Sequence, residues 1–317
     1  MKVRACAGRD DIATVYIAEM SGGKVVEFLE SVQPPLPREK KWVLIISSLF
    51  GCPVRCPICD AGGDYRGKLS VDEILAQTDF LVYRRFADGH VPVEKFKIQF
   101  ARMGDPALNG AVPDALEALS RRYRAPGLMP CLSTVAPAGC EQFFERLLDI
   151  RNRCYPGRFQ LQFSIHTTDQ AARDRLIPIE KWDLAAIARY GERFHRTGDR
   201  KITLNFALVA GTPVDPAVLL DQFDPNRFLI KITPLNPTCR TIANGLDSYV
   251  VPDRPDDSYP VVQALRNADY EVIVSIGELT ENNIGSNCGQ YVSAYLKEKA
   301  ALGETYSFPV NEYAGTQ

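Results

Sequence analysis

Cys52, Cys56 and Cys59 fall within eight residues, in the run Gly51-Cys52-Pro53-Val54-Arg55-Cys56-Pro57-Ile58-Cys59. One tight loop with this CxxxCxxC spacing can aim three sulfur atoms at three corners of a single cube. The triplet therefore suits a 4Fe-4S cluster whose fourth iron keeps no protein ligand, thiolates being the usual protein ligands of such clusters. Two plainer readings stand beside it: a structural zinc site, and reduced cysteines that happen to lie close together. Structural zinc takes four protein ligands, and no second knuckle of matching spacing follows.

Nine cysteines in 317 residues are an odd number, and the chain opens with no charged start followed by an apolar signal segment. A reduced, cytoplasmic setting is expected rather than a disulfide scaffold. No run approaches the roughly eighteen apolar residues of a membrane span, so no membrane partner is expected. The formal charge of −2 carries no basic excess that would announce DNA or another polyanion. Arg121-Arg122-Tyr123-Arg124 and the basic residues from 151 to 158 read as solvated helix faces.

A cysteine loop needs a rigid platform. Residues 43–47 read as a buried strand ending at the loop, and residues 70–74 open a helix with Ser70 at the cap and Glu73 three residues on. Further strands are expected near residues 96–100, 130–134, 160–166, 202–209, 228–233 and 271–275, with amphipathic stretches over 113–123, 141–151 and 183–195 between them. This alternation implies βαβ units with right-handed crossovers. The expectation is an α/β fold, a partial or complete TIM-like β/α barrel over residues 41–300. Residues 1–40 are expected to form a small N-terminal β-type preface, with a hairpin around Ser21-Gly22-Gly23 that Pro34-Pro35-Leu36-Pro37 breaks off, and residues 301–317 a C-terminal tail. Catalytic groups of such barrels sit at the C-terminal ends of the strands. The polar segments fall there: the cysteines, Met103-Gly104-Asp105-Pro106, Ser133-Thr134, Ser164-Ile165-His166 and Pro234-Leu235-Asn236-Pro237.

Taken singly, a Gly-Asp-Pro is an ordinary turn and a lone His or Ser an ordinary core residue. Taken in order, and followed by Ser286-Asn287-Cys288-Gly289-Gln290, these segments resemble the radical SAM superfamily over about residues 51–290. Within it the chain is most similar to the RlmN/Cfr group of RNA adenine methyltransferases. The resemblance implies a 4Fe-4S cluster on Cys52, Cys56 and Cys59, whose open iron binds S-adenosylmethionine (SAM) and whose electron splits the sulfonium to a 5′-deoxyadenosyl radical. It implies that Met103, Gly104 and Asp105 hold the methionine ammonium, Asp105 standing where the family usually has Glu. Ser133, Ser164 and His166 would face the adenosyl and methionine parts, and Asn236 would contact SAM.

By the same resemblance, Cys288 is methylated by one SAM, loses a hydrogen to the radical made from a second, and adds as a methylene radical to an sp2 carbon of the substrate. The implied function is methylation of an RNA base or a smaller heteroaromatic molecule, with a flavodoxin or ferredoxin as electron donor. The alternative is a radical SAM enzyme that abstracts hydrogen for a rearrangement or coupling. One departure bears on the outcome. The family's resolving cysteine stands seven residues before the first cluster cysteine, where this chain has Ile45; Cys6, Cys131, Cys140 or Cys239 would have to take its place.

Overall fold

The computed structural model describes residues 1–32, 34–251, 254, 258–277, 279–286, 290–292, 295, 306 and 308–313. Strands β1 (Lys2–Arg9), β2 (Ala13–Glu19) and β3 (Val25–Ser31) run antiparallel, the last two joined through the Ser21–Gly23 turn. β3 pairs antiparallel with β4 (Lys41–Ile46), so the N-terminal strands lead straight into the main sheet.

The strand expected over 43–47 stops at Ile46, and a separate hairpin of β5 (Leu49–Cys52) and β6 (Gly63–Lys68) carries the cysteine loop. Two buried serines cause the break. Ser47 N–H is taken by Gln77 Oε1 and its hydroxyl donates to Glu27 O, while Ser48 N–H turns to Met103 O, so the backbone leaves the ladder with its polar groups satisfied.

Beyond β6 the expected alternation follows. α1 (Val71–Arg85) starts with the Ser70/Glu73 capping box, then come β7 (Lys95–Phe100), α2 (Ala111–Arg122), β8 (Leu128–Thr134), α3 (Glu141–Cys154) and β9 (Gln160–Ser164). The chain continues through α4 (Gln170–Leu176), α5 (Leu184–Phe194), β10 (Ile202–Ala207), α6 (Pro216–Gln222) and β11 (Phe228–Thr233). α7 (Cys239–Ala243), α8 (Pro260–Asn267), β12 (Val272–Val274), α9 (Leu279–Ile284) and β13 (Asn311–Glu312) complete the described elements.

Among the described residues one eleven-stranded sheet runs β12-β11-β10-β9-β8-β7-β4-β3-β2-β1-β13. β4 and β7 through β12 are parallel to their neighbours in that run. The sheet is open, and it curls: β4 and β11, with four strands between them, line one cavity. This is a partial β/α barrel.

Strand parity separates two faces. Phe96, Ile98 and Phe100 of β7 are fully buried in the main core with Val112, Leu116 and Leu119 of α2, while Lys97 and Gln99 face the barrel lumen. Each such phenylalanine contributes about 1.5–3 kcal/mol by leaving water. The arginine clusters find acidic partners: Arg122 with Asp79, Arg151 with Asp199, and Arg153 with Glu117 and Asp149.

One buried ion pair ties the first strands to the far end of the chain. Arg102, just after β7, pairs with Glu27 of β3, both nearly sealed from solvent. Arg102 also donates to Gly285 O and Ser286 O at 2.9 and 3.0 Å, while Glu27 Oε2 accepts from Tyr291 and Val292 N–H at 2.7 and 3.0 Å. Arg102→Met leaves Glu27 buried without its cation, and the expected loss is about 3–5 kcal/mol of unfolding free energy, read as a lower urea midpoint.

Candidate active site

The cysteine loop is held from both sides. Val54 and Ile58 insert into an apolar cluster with Val135, Leu176, Ile177 and Leu235, against which Cys52 and Cys56 pack. From the other side comes α7: Thr238 Oγ1 donates to Ile58 O at 3.3 Å, and the N–H groups of Cys239 and Arg240 cap Asp60 at 3.1 and 2.9 Å. Arg240 also donates to Gly62 O and Arg55 O, and Asn244 to Pro57 O. A loop clamped by its own carbonyls keeps its three sulfur-bearing positions on one short arc.

Burial pushes the Cys56 thiol up to about 12, and the neighbouring Cys52 and Asp105 charges push the same way. Burial raises Cys52 as well, while the backbone N–H groups of Val54, Asp105 and Arg55 pull it back. Burial raises any such thiol, so the shift does not itself mark a ligand; a coordinated thiol is deprotonated outright, and a cation beside these would reverse it. Among the described residues no three Cys, His, Asp or Glu side chains are already gathered as a metal group. Three soft donors on one clamped arc fit an iron-sulfur cluster, and Cys239, the nearby fourth thiol, is engaged with Asp60.

Asp105 lies directly beneath. It caps the short Pro106–Leu108 turn, its Oδ1 accepting from Ala107 N–H at 2.9 Å and from Thr134 Oγ1 at 2.8 Å, and its Oδ2 accepting from Val135 N–H at 2.7 Å. Burial nevertheless raises its carboxyl to about 6, the three hydrogen bonds opposing. Oδ2 keeps a second lone pair, enough to accept one more donor such as an ammonium. The loop approaches β5 closely: Gly104 has φ +87°, and a Cβ there would sit 2.4 Å from Leu49 Cβ. Met103 is buried, its carbonyl accepting from Ser48 and Leu49 N–H.

The other expected residues distribute over the neighbouring strand ends. Ser133 of β8 and Ser164 of β9 are half-buried on adjacent strands. The strand expected to reach His166 ends at Ser164, because His166 takes φ +67° and turns its ring back under β10. Its Nδ1 accepts from Ala207 N–H at 3.0 Å, which leaves the proton on Nε2; burial, then the Arg173 charge, lowers its pKa to about 4. His166 is therefore a neutral donor at physiological pH. Asn236 lines the lumen cavity together with Ile45. Cys288 lies outside the described residues.

Two groups lie in segments, residues 173–178 and 203–211, that resemble the family without a role assigned to either residue. Asn205 Oδ1 is buried with no hydrogen-bond partner, beside Ser164 in register, and Arg173 buries Nε and Nη2 without partners while its Nη1 donates to Trp182 O. The signal for Asn205 is its place as the amide within the otherwise apolar Leu204-Asn205-Phe206. Of the four substitute thiols, Cys131 shares a lumen-facing row with Ile45, through the pairs Ile45↔Gln99 and Gln99↔Cys131. Cys6 is on β1, Cys140 precedes α3 and Cys239 opens α7.

No family model matches the chain. Its sequence is similar to three proteins named "Probable dual-specificity RNA methyltransferase RlmN". That of Petrotoga mobilis is 24% identical over 303 residues, covering 91% of this chain and 77% of the relative. That of Streptomyces griseus is 27% identical over 301 residues, covering 90% and 75%. The third, from Thermosynechococcus vestitus, is 28% identical over 208 residues, 63% of this chain and 58% of the relative. Over most of its length the chain is similar in sequence to RlmN proteins. Its fold agrees: the crystal structure of a radical SAM methyltransferase from Sphaerobacter thermophilus superposes with a TM-score of 0.64 at 22% identity, over 90% of this chain and 80% of that one. In this chain the cysteine loop and Asp105 meet directly, whereas Asn236 and Ile45 open onto the lumen cavity.

Proposed function

We propose that this chain is a radical SAM methyltransferase that uses a 4Fe-4S cluster and SAM to methylate an sp2 carbon of an RNA base or a smaller heteroaromatic molecule, in a cytoplasmic setting. The observation that carries the reading is the contact between the clamped cysteine arc and the Asp105 loop, the Cys52 sulfur resting on Asp105 N–H. Cys52, Cys56 and Cys59 would hold the cluster, which when bound supplies the electron that breaks a sulfonium bond of SAM.

The protein's own groups divide the remaining work. Asp105 accepts the methionine ammonium on Oδ2, with Met103 and Gly104 shaping the approach. His166, neutral and donating through Nε2, serves an acceptor on the cofactor, and Ser133, Ser164 and Asn236 supply further polar contacts. Cys288 carries the methyl group to substrate. A flavodoxin or ferredoxin delivers the electron. No described helix is long and apolar enough to cross a membrane.

The test is transfer of label from methyl-labelled SAM, with a chemical reductant, to purified RNA or to free adenine nucleotides. A methylated base is expected with the wild-type chain and none with Cys288→Ala. Continued 5′-deoxyadenosine formation without any methylated product would favour hydrogen abstraction for other ends.

A further inference from the structure

Several exposed arginines of this chain are met by carboxylates, as Arg122 is by Asp79, Arg153 by Glu117 and Arg193 by Glu145. The hairpin that carries the cysteine loop differs. On β6 Arg66 and Lys68 are exposed, and at the loop itself Arg55 is exposed as well. Lys24 reaches across from the turn before β3, its ammonium 5.0 Å above the Phe50 ring of β5 and beside Gly67. Among the described residues none of these four cations takes part in an ion pair.

The backbone puts them on one outward surface. Arg55 takes φ +61°, in the left-handed region that costs a residue with a side chain about 1–2 kcal/mol, and its carbonyl is fixed by Arg240 Nη2 at 3.2 Å. β6 is the outer strand of a two-stranded sheet, and Asp64, Tyr65 and Arg66 are exposed in succession, so both of its faces look outward. Gly62 lies against Arg55 at one end of the hairpin, and Lys68 pairs with Leu49 at the other. At about 3.3 Å per strand residue the cations spread over roughly 20 Å. Two large apolar side chains stand out on the same elements, Tyr65 of β6 at 42% exposure and Ile242 of α7 at 59%.

A small face of unpaired cations around exposed apolar side chains is the anatomy of a charge-steered, short-lived protein contact, and electron-transfer complexes are the smallest of these. A nucleic acid backbone asks for a longer basic track. This one is interrupted by Asp64 and stops at Asp72 and Glu73, at the start of α1. We propose that the outer face of the β5–β6 hairpin docks a small acidic one-electron carrier protein against the arc of Cys52, Cys56 and Cys59. One electron then passes from the partner's reduced centre to the bound cluster, and no bond forms or breaks at the interface. The inference rests on the cluster assignment and adds the place where its electron enters.

Isothermal titration of the reconstituted full chain with oxidised flavodoxin, and separately with oxidised ferredoxin, measures docking without turnover. Saturable binding of at least one carrier is expected, weakening as salt rises. Arg66→Glu and Lys68→Glu should each weaken it by ~10-fold at low salt, while Arg121→Glu, an exposed arginine of α2, should leave it unchanged. Formation of 5′-deoxyadenosine should fall in parallel when the reduced carrier supplies the electron, and stay at the wild-type rate with dithionite. If a reversal variant fails to fold, carbodiimide coupling of Lys24 or Lys68 to carrier carboxylates, mapped by peptide mass spectrometry on the wild-type chain, decides instead. Binding of neither carrier, affinity indifferent to the reversals, no coupling at these lysines, or reversals that weaken an RNA oligonucleotide and spare the carrier each overturns the docking face. With SAM cleavage by dithionite intact, such a result leaves the cluster assignment standing. A reconstituted chain without 4Fe-4S absorption would remove both.

Discussion

Cys56→Ala, reconstituted anaerobically with iron and sulfide, is expected to lack the 4Fe-4S absorption and to form 5′-deoxyadenosine more than ~10²-fold more slowly, a loss at least as large as removing an outer-shell partner produces at other metal sites. The reasoning is local. With its thiol held near 12 by burial, Cys56 becomes a ligand only when a cation offsets the cost of ionising it, and a methyl group there can do nothing of the kind. The fold should survive, because Val54 and Ile58 keep the loop in its apolar seat and α7 keeps its hydrogen bonds to the loop carbonyls. Visible spectroscopy, with circular dichroism as the control for folding, reads both halves. A brown, active Cys56→Ala protein would remove the cluster assignment.

The second large effect is expected at Asp105. Asp105→Ala removes the acceptor for Ala107 N–H, Thr134 Oγ1 and Val135 N–H together with the proposed seat of the SAM ammonium. A charged hydrogen bond of this kind is worth about 1.5–3 kcal/mol, so SAM should bind ~10- to 100-fold more weakly by equilibrium dialysis, and stability should fall as well. The carboxyl titrates near 6 in the folded chain against 3.8 for an ordinary aspartate, burial being the cause. Only the anion receives the ammonium, so SAM affinity should be flat above pH ~6 and fall by up to tenfold per unit below it. Folding has the opposite sign. A carboxyl whose pKa is raised by folding adds stability that is fully present below 3.8 and lost as pH rises through about 6. SAM affinity that is unchanged from pH 5 to 8 would show that Asp105 does not hold the ammonium.

Much of the fold is legible in the amino-acid sequence, and the exceptions have physical causes. Short apolar runs between helical patterns locate β7, β8 and β11, and the Ser70/Glu73 pair locates α1, because these elements are fixed by local pattern. The β5–β6 hairpin is not separable from β4 by pattern, since Leu49 and Phe50 continue the apolar run and the break rests on buried serine contacts made with distant residues. Asp105 is placed by its motif, but its two hydrogen bonds to the end of β8, from Thr134 and Val135, have no trace in the sequence. The Glu27–Arg102 pair, joining positions seventy-five residues apart, has no local signature at all.

With Ile45 in place of the family's resolving cysteine, the proposed chemistry turns on methylation of Cys288. Peptide mass spectrometry of the anaerobically reconstituted chain after incubation with methyl-labelled SAM measures it directly. A peptide spanning Cys288 that gains one labelled methyl on sulfur is the expected result. An unmodified Cys288 in protein that holds its cluster and cleaves SAM would contradict it.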